Sequence, residues 1–269
     1  MEKKIISINE LTGEEILCII HTAVDIKKNP EKYSTRLHDK TLLLLFQKTS
    51  TRTRIAFELG MKKLGGRTIV MDWQRSNFAI SPISYEARYV GSMVDIVLAR
   101  LLKNEDIVEL ARTAGVPVIN GCCNLFHPSQ VLADLMTVFE KKGGFDTRLT
   151  YIGIQNNVAN SLFYACMKVG LPLIFVTFLY TDTWINMEEF NQRKKGPEQQ
   201  KKIERMLAYQ INRSLIQDRD VYVLHDMPVH PGLEIDDYSI TCDKSLIFIQ
   251  AENRIYSGQA LLLHLLDAV

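Results

Sequence analysis

Ser50-Thr51-Arg52-Thr53-Arg54 gathers hydroxyls, two guanidinium groups and free backbone N–H donors into one short stretch. Those are the groups that hold a phosphate. A helix N-terminus offers unpaired amides and a positive dipole end, and arginine adds bidentate, charge-assisted bonds. The same stretch reads equally well as a solvated helix cap carrying two surface arginines, since Ser and Thr cap helices generally. Arg54 is the weakest member, with a structural alternative in an ion pair to Glu58 one helical turn on.

The flanking residues place this stretch at a strand-to-helix turn. Upstream, Thr41-Leu42-Leu43-Leu44-Leu45-Phe46 is a short continuous apolar run of the kind a buried strand shows. Downstream, Ile55, Phe57, Leu59, Met61 and Leu64 open a helix that stops at Gly65-Gly66. The alternation continues, with strands expected at 67–72, 96–99 and 116–120 and helices at 52–64, 83–93 and 104–114. A helix over 129–142, ending at Gly143-Gly144, bridges to a second half. There the pattern predicts strands at 148–154, 221–224 and 245–249, and helices at 160–169, near 198–215 and at 257–266. Such alternation specifies an α/β fold with a mainly parallel sheet. The stretch 191–202, rich in Gln, Lys and Arg, reads as a solvated loop and helix start. Leu171 to Asp182 reads as two strands fused end to end, although parallel neighbours need a crossover of a dozen or more residues. Either a layer of the second half has been lost or a segment is missing near 177–178.

Bulk properties narrow the class. With 269 residues, 46% hydrophobic and 23% charged, the chain fits one large or two modest globular domains. A net charge of +1 gives no basis for a nucleic-acid or membrane surface as partner. The N-terminal residues lack the apolar core of a signal peptide, and no apolar run is long enough to span a bilayer. The five cysteines (Cys18, Cys122, Cys123, Cys166, Cys242) are odd in number and show no C-x-x-C spacing, so reduced thiols in the cytoplasm are expected. The adjacent Cys122-Cys123 could be a redox pair, but buried structural thiols are commoner.

Five ordered motifs resemble the aspartate/ornithine carbamoyltransferase family. Phe46-Gln47-Lys48-Thr49-Ser50 through Phe57-Glu58 is similar to its F-x-K-x-S-T-R-T-R-x-x-F-E loop. Arg100 ends an apolar run, and His127-Pro128-Ser129-Gln130 leads into Leu132-Ala133-Asp134-Leu135, as in H-P-x-Q-x-L-A-D-L. Tyr180-Thr181-Asp182-Thr183-Trp184 resembles the ornithine branch's Y-T-D-x-W, and Ala251-Glu252-Asn253-Arg254 its late A-E-N-R. The resemblance implies two Rossmann-like domains, each a mainly parallel sheet flanked by helices, joined by a bridging helix. Residues 1–135 with a returning C-terminal helix 255–269 would bind carbamoyl phosphate, and 136–254 would bind the acceptor amine. It also implies a homotrimer, or a higher assembly of trimers, with sites between first domains. The loop Arg75 to Pro82 lacks the Lys, Gln or His that relatives insert into the neighbouring site.

By the same resemblance, Ser50, Thr51, Arg52 and Thr53 hold the phosphate, with Arg254 near the substrate. Arg100 bridges phosphate and carbonyl oxygens, His127 donates to that carbonyl oxygen, and Gln130 accepts from the carbamoyl NH2. His127 and Gln130 are three apart, on one face of a helix start. Out of context, His127 reads as a loop histidine and Arg100 as a surface arginine. On the acceptor side, Asn157 would bind the acceptor's α-carboxylate or amine, and Asp182 its cationic group. Asn186 and Met187, followed by Glu188, stand where the family has S-M-G. His225-Asp226-Met227-Pro228 stands where it has H-C-L-P, so Asp226 replaces a thiol with a carboxylate beside the reacting amine. Neither 155–161 nor 227–230 carries an arginine, which leaves a dicarboxylate acceptor under-neutralised and points away from aspartate.

The leading expectation is therefore transfer of a carbamoyl group from carbamoyl phosphate to an ornithine-like amine, with Arg100, His127, Gln130 and Asp226 as catalytic residues. No cofactor or metal is expected, because His127, His225 and His230 lack the spacing of a closed site. The altered acceptor residues keep open a catalytically weak, carbamoyl-phosphate-binding relative with a regulatory role. A general Rossmann nucleotide binder ranks below both, for want of a G-x-G-x-x-G after a strand.

Overall fold

The computed structural model describes residues 4–171, 178–185 and 197–268. Its first half contains β1 (Lys4–Ile5), α1 (Gly13–Lys28), β2 (Thr41–Phe46), α2 (Arg52–Lys63), β3 (Arg67–Asp72), α3 (Ile83–Gly91), β4 (Ile96–Arg100), α4 (Asn104–Thr113) and β5 (Val118–Asn120). The strands form one parallel sheet in the order β1-β5-β4-β2-β3. Leu42, Leu43, Leu44 and Leu45 of β2 are all buried, because helices cover both faces of this central strand.

Helix α5 (Pro128–Lys142) starts with Pro128 in its first turn and ends at Gly143, whose φ of 74° supplies the left-handed cap. Beyond it come β6 (Leu149–Tyr151), α6 (Asn157–Val169), β7 (Phe178–Thr181), α7 (Pro197–Met206), α8 (Arg213–Ile216), β8 (Tyr222–His225), α9 (Asp237–Thr241) and α10 (Ile247–Leu265). The second sheet is parallel in the order β6-β7-β8. Helix α6 supplies the crossover from β6 to β7 that parallel pairing requires. The first part of the awkward 171–182 junction lies outside the described residues.

Three sequence expectations are corrected. Residues 245–249 are not a strand: Ser245 makes one isolated bridge to Val223, and α10 begins at Ile247 rather than 257. The helix expected near 198–215 is divided, since α7 ends at Met206 and Asn212 caps a separate α8. Helix α1 escaped the reading altogether.

One core cluster runs from α1, α2 and α5 through α10 to Leu149, Phe178 and Leu224 of the second sheet. A second fills the other face of the first sheet, under α3 and α4, and a third the outer face of the second sheet. Helix α10 packs against α1, α2 and α5. The approach to α2 is close at Gly60, where a Cβ would lie 3.1 Å from Gln259 Cγ. Among the described residues no helix is long and apolar enough to cross a membrane.

Candidate active site

Both parallel sheets point the carboxyl ends of their strands into one cleft, the place where open α/β sheets bind ligands. On the first sheet, Phe46 of β2 pairs with Arg100 of β4, and Gln47 N–H donates to Arg100 C=O at 3.0 Å. The Lys48–Thr51 turn therefore lies beside Arg100. Helix α2 starts there with no side-chain cap and no carboxylate in its first turn, so its amides and dipole face the cleft unopposed. Ser50 Oγ, Arg52 Nε and Arg100 Nε are buried with no hydrogen-bond partner in the protein. Buried polar atoms ordinarily find partners, so orphaned groups at the start of α2 and at the adjacent end of β4 mark an anion site. Arg54 instead turns outward and pairs with Glu58 at 2.9 Å.

Arg254, on α10 and 5% exposed, ties this half to the other. Its guanidinium donates to Thr53 Oγ1 at 2.8 Å, contacts His127 Nε2 at 3.4 Å and lies 3.6 Å from Asp226 Oδ1. His127 is the N-cap residue of α5, held by its own N–H donating to Ser161 Oγ at 2.8 Å. Burial first, then Arg254, Arg100, Lys48 and Arg52, drive the imidazole well below its ordinary pKa, so it is neutral at pH 7. An arginine can only donate, so Nε2 accepts in this arrangement and the proton sits on Nδ1, which faces Ser129 Oγ at 3.4 Å. Donation from His127 to a carbonyl oxygen thus requires Arg254 to shift or the ring to change tautomer. Gln130 commits its NH2 to Asp134 at 2.8 Å, while its buried Oε1 has no partner.

The second sheet brings carboxylates. Asp182 follows β7 and is 7% exposed; it accepts from Thr183 N–H at 2.7 Å and from Asn156 Nδ2 at 2.6 Å. Burial and then the neighbouring Asp226 push it up to about 6. Asp226 follows β8, on a turn where Met227 adopts φ 62° and donates its N–H to His225 Nδ1 at 2.8 Å. Behind it, His225 Nε2 lies 3.3 Å from the fully buried Glu234. The cleft is thus cationic on one wall and acidic on the other, with Arg254 touching both.

The first sheet's helices and the motifs they carry match the carbamoyl-phosphate-binding domain of aspartate/ornithine carbamoyltransferases over residues 3–140, and the Asp/Orn binding domain matches over 173–265. The chain belongs to the aspartate/ornithine carbamoyltransferase family. An ornithine carbamoyltransferase of Haloquadratum walsbyi is 35% identical over 301 aligned positions, covering 97% of each chain. One from Listeria innocua is 35% identical over 311 positions, covering 99% of this chain and 96% of the relative. The solved ornithine carbamoyltransferase of Pyrococcus furiosus superposes with a TM-score of 0.90 at 30% identity, covering 99% of this chain and 98% of that one. That of Thermus thermophilus gives 0.86 at 28% identity, with 99% of both chains covered.

For this member of the family, the fold gathers Ser50, Arg52, Thr53, Arg100, His127, Gln130 and Arg254 around one end of the cleft and Asp182 and Asp226 around the other. Thr51 is exposed, and its hydroxyl caps nothing. Asn157 is differently engaged than expected: its NH2 donates to Cys123 C=O at 2.7 Å and to Cys122 Sγ at 3.1 Å. Binding an α-carboxylate through that NH2 would cost one of these bonds, and Oδ1 remains the side available to an amine. Cys122 and Cys123 are buried free thiols, and Cys123 Sγ accepts from the Leu125 and Phe126 amides. Asn186 and Met187 lie outside the described residues. Among the described residues no His, Cys, Asp and Glu cluster suits a metal ion. Sequence reading gave no role to Asn156, Gln250, Asp134 or Tyr180. Asp134 and Tyr180 did carry a signal, since both stand inside motifs quoted above, and Asp134 shares the helix face of Gln130.

Proposed function

We propose that this chain transfers the carbamoyl group of carbamoyl phosphate to the side-chain amine of ornithine or a closely similar cationic amino acid, releasing phosphate. The reading rests above all on the orphaned buried donors Arg52 Nε and Arg100 Nε beside the uncapped start of α2, together with the unpartnered Gln130 Oε1. These suit a phosphate joined to a group that bears N–H. The α2 amides, Ser50, Thr53 and Arg52 hold the phosphate, and Arg100 spans phosphate and carbonyl oxygens. Gln130 Oε1 accepts from the carbamoyl NH2. Cationic donors then stabilise the oxygen as negative charge gathers on it, an effect on the order of 100- to 1,000-fold per donor.

The acceptor enters from the acidic wall. A carboxylate pair attracts an ammonium ion, and attack requires that ion to lose a proton. One proton leaves the ammonium for Asp226 or Asp182, the neutral nitrogen bonds to the carbonyl carbon, the carbon–oxygen bond to phosphate breaks, and the nitrogen's second proton goes to the departing phosphate. Asp226 takes the place of the family's cysteine, and the pocket is more acidic for it. Asn157, Asp182, Asp226 and Met227 are read as acceptor contacts, together with Asn186 and Met187.

The domain reading stays as proposed from sequence, donor half 1–135 with 255–269 and acceptor half 136–254. Alignments of 301 and 311 positions against 269 residues suit a chain lacking a segment that its relatives carry, and the join near 177–178 is the place proposed for it. A homotrimer in the cytoplasm is the proposed state. The regulatory alternative is not favoured, because every donor-side residue is present. The test is phosphate release from carbamoyl phosphate with a panel of amines. Turnover with ornithine and little with aspartate is expected; robust aspartate carbamoylation, or none with any cationic amino acid, would overturn the reading.

A further inference from the structure

Of the Gln130 amide only the carbonyl oxygen is left unpartnered, and the cause lies in the residues behind it. The backbone N–H of His225 can only donate, and it donates to Gln250 Oε1 at 2.9 Å. The Gln250 amide is thereby fixed with its NH2 turned away, onto Asp134 Oδ1 at 2.7 Å. Gln130 donates to that same Oδ1 at 2.8 Å, which leaves its Oε1 unpartnered. Tyr180, at the end of the strand leading to Asp182, donates to Oδ2 at 3.2 Å. Gln130, Asp134, Tyr180 and Gln250 are all fully or almost fully buried, so water is not at hand to replace any partner.

The direction of this relay does not depend on ionisation. Burial pushes Asp134 up to about 7, so neutral and charged forms both occur near physiological pH. Oδ1 already accepts two N–H donors, so a bound proton sits on Oδ2, beside the Tyr180 hydroxyl. Oδ1 stays an acceptor in both forms, and Gln130 must present NH2 to it.

We propose that Asp134 is a positioning residue: through Gln250 it takes its orientation from the backbone that carries Asp226, and it turns the Gln130 carbonyl oxygen toward the carbamoyl NH2. The inference rests on the carbamoyl transfer proposed above and adds its selectivity. An acyl phosphate bearing a methyl group where carbamoyl phosphate bears NH2 would leave Oε1 buried and unpaired. A site built around a hydrogen bond rejects the analogue that lacks it.

Acetyl phosphate is that analogue, and calorimetry of carbamoyl and acetyl phosphate binding supplies the test. The wild type is expected to prefer carbamoyl phosphate by at least about tenfold, and Gln130→Ala to lose that preference. Asp134→Leu should lose it too, with acetyl phosphate affinity changed less than about threefold. Asp134→Asn should keep it, because Gln250 still dictates which way the new amide faces. Should Asp134→Leu not fold, Asp134→Asn combined with Gln250→Leu replaces it, since the amide at 134 is then free to turn; its preference should fall at least about threefold below that of Asp134→Asn alone. Equal loss of both ligands in Asp134→Leu, or an unchanged preference in it or in the double variant, overturns the relay. A wild type that binds no carbamoyl phosphate would instead overturn the proposed function.

Discussion

Arg52→Met separates binding from folding in this protein. Arg52 stands in the first turn of α2, with Nε buried and unpaired; burial lowers its pKa, Asp226 opposes that and Arg100 adds to it. A hydrogen bond to a charged group contributes about 1.5–3 kcal/mol, so a bidentate clamp on phosphate contributes about 3–6 kcal/mol. Arg52 is partly exposed and Arg100 and Arg254 remain, so the lower end applies. That is about 3–4 kcal/mol, or roughly a 100- to 1,000-fold loss of carbamoyl phosphate affinity. The unliganded protein should respond in the opposite sense. Methionine has similar length and no charge to desolvate, so replacing this half-buried, imperfectly paired cation should stabilise by about 1 kcal/mol. For a chain of this size that raises Tm by about 2–4 °C. Calorimetric titration and thermal scans without ligand read the two effects separately. Unchanged affinity in folded Arg52→Met would refute the phosphate role, and a Tm lowered by several degrees would show that Arg52 holds the fold together.

Asp226→Cys should move the pH–rate profile and relax the preference for cationic acceptors; an identical profile and amine ranking would return Asp226 to a passive place. Asp134 and Asp182 are raised to about 7 and about 6, so the folded protein binds more protons than the unfolded chain between about pH 4 and 7. Unliganded stability should therefore fall as pH rises through that window. Asp134→Asn should gain on the wild type by on the order of 2–4 kcal/mol between pH 5 and 8, checked by denaturant titration at several pH values. Thr53→Val removes the hydroxyl that anchors Arg254 at 2.8 Å and should cost about 1–3 kcal/mol by the same titration. Light scattering is expected to report a trimer, and a clean monomer would contradict a site shared between first domains.

Local pattern and motif order determined much of this molecule. The apolar run of β2, the stop at Gly65-Gly66 and the Ser50–Arg54 stretch are all readable over a few residues, because a strand-to-helix turn is short-range. Arg54 and Glu58 pair as helix spacing dictates. Helix α1 was readable too, through the capping box Thr12-Gly13-Glu14-Glu15 before Ile16, Ile19, Ile20, Ala23 and Ile26, and was missed. The 245–249 strand failed for a different reason. Ser245-Leu246-Ile247-Phe248-Ile249 is apolar enough for either state, and packing decides it: Ile247 sits in the second sheet's core while the helix it opens packs on α1, α2 and α5. What tertiary structure alone decided is partnership. Arg254 meets Thr53, His127 and Asp226 across sequence separations no periodicity encodes, and the NH2 of Asn157 is engaged by Cys122 and Cys123. Residue types set what each group can donate or accept. Which atom remains unpaired, as Gln130 Oε1 does, depends on every partner the fold has already assigned.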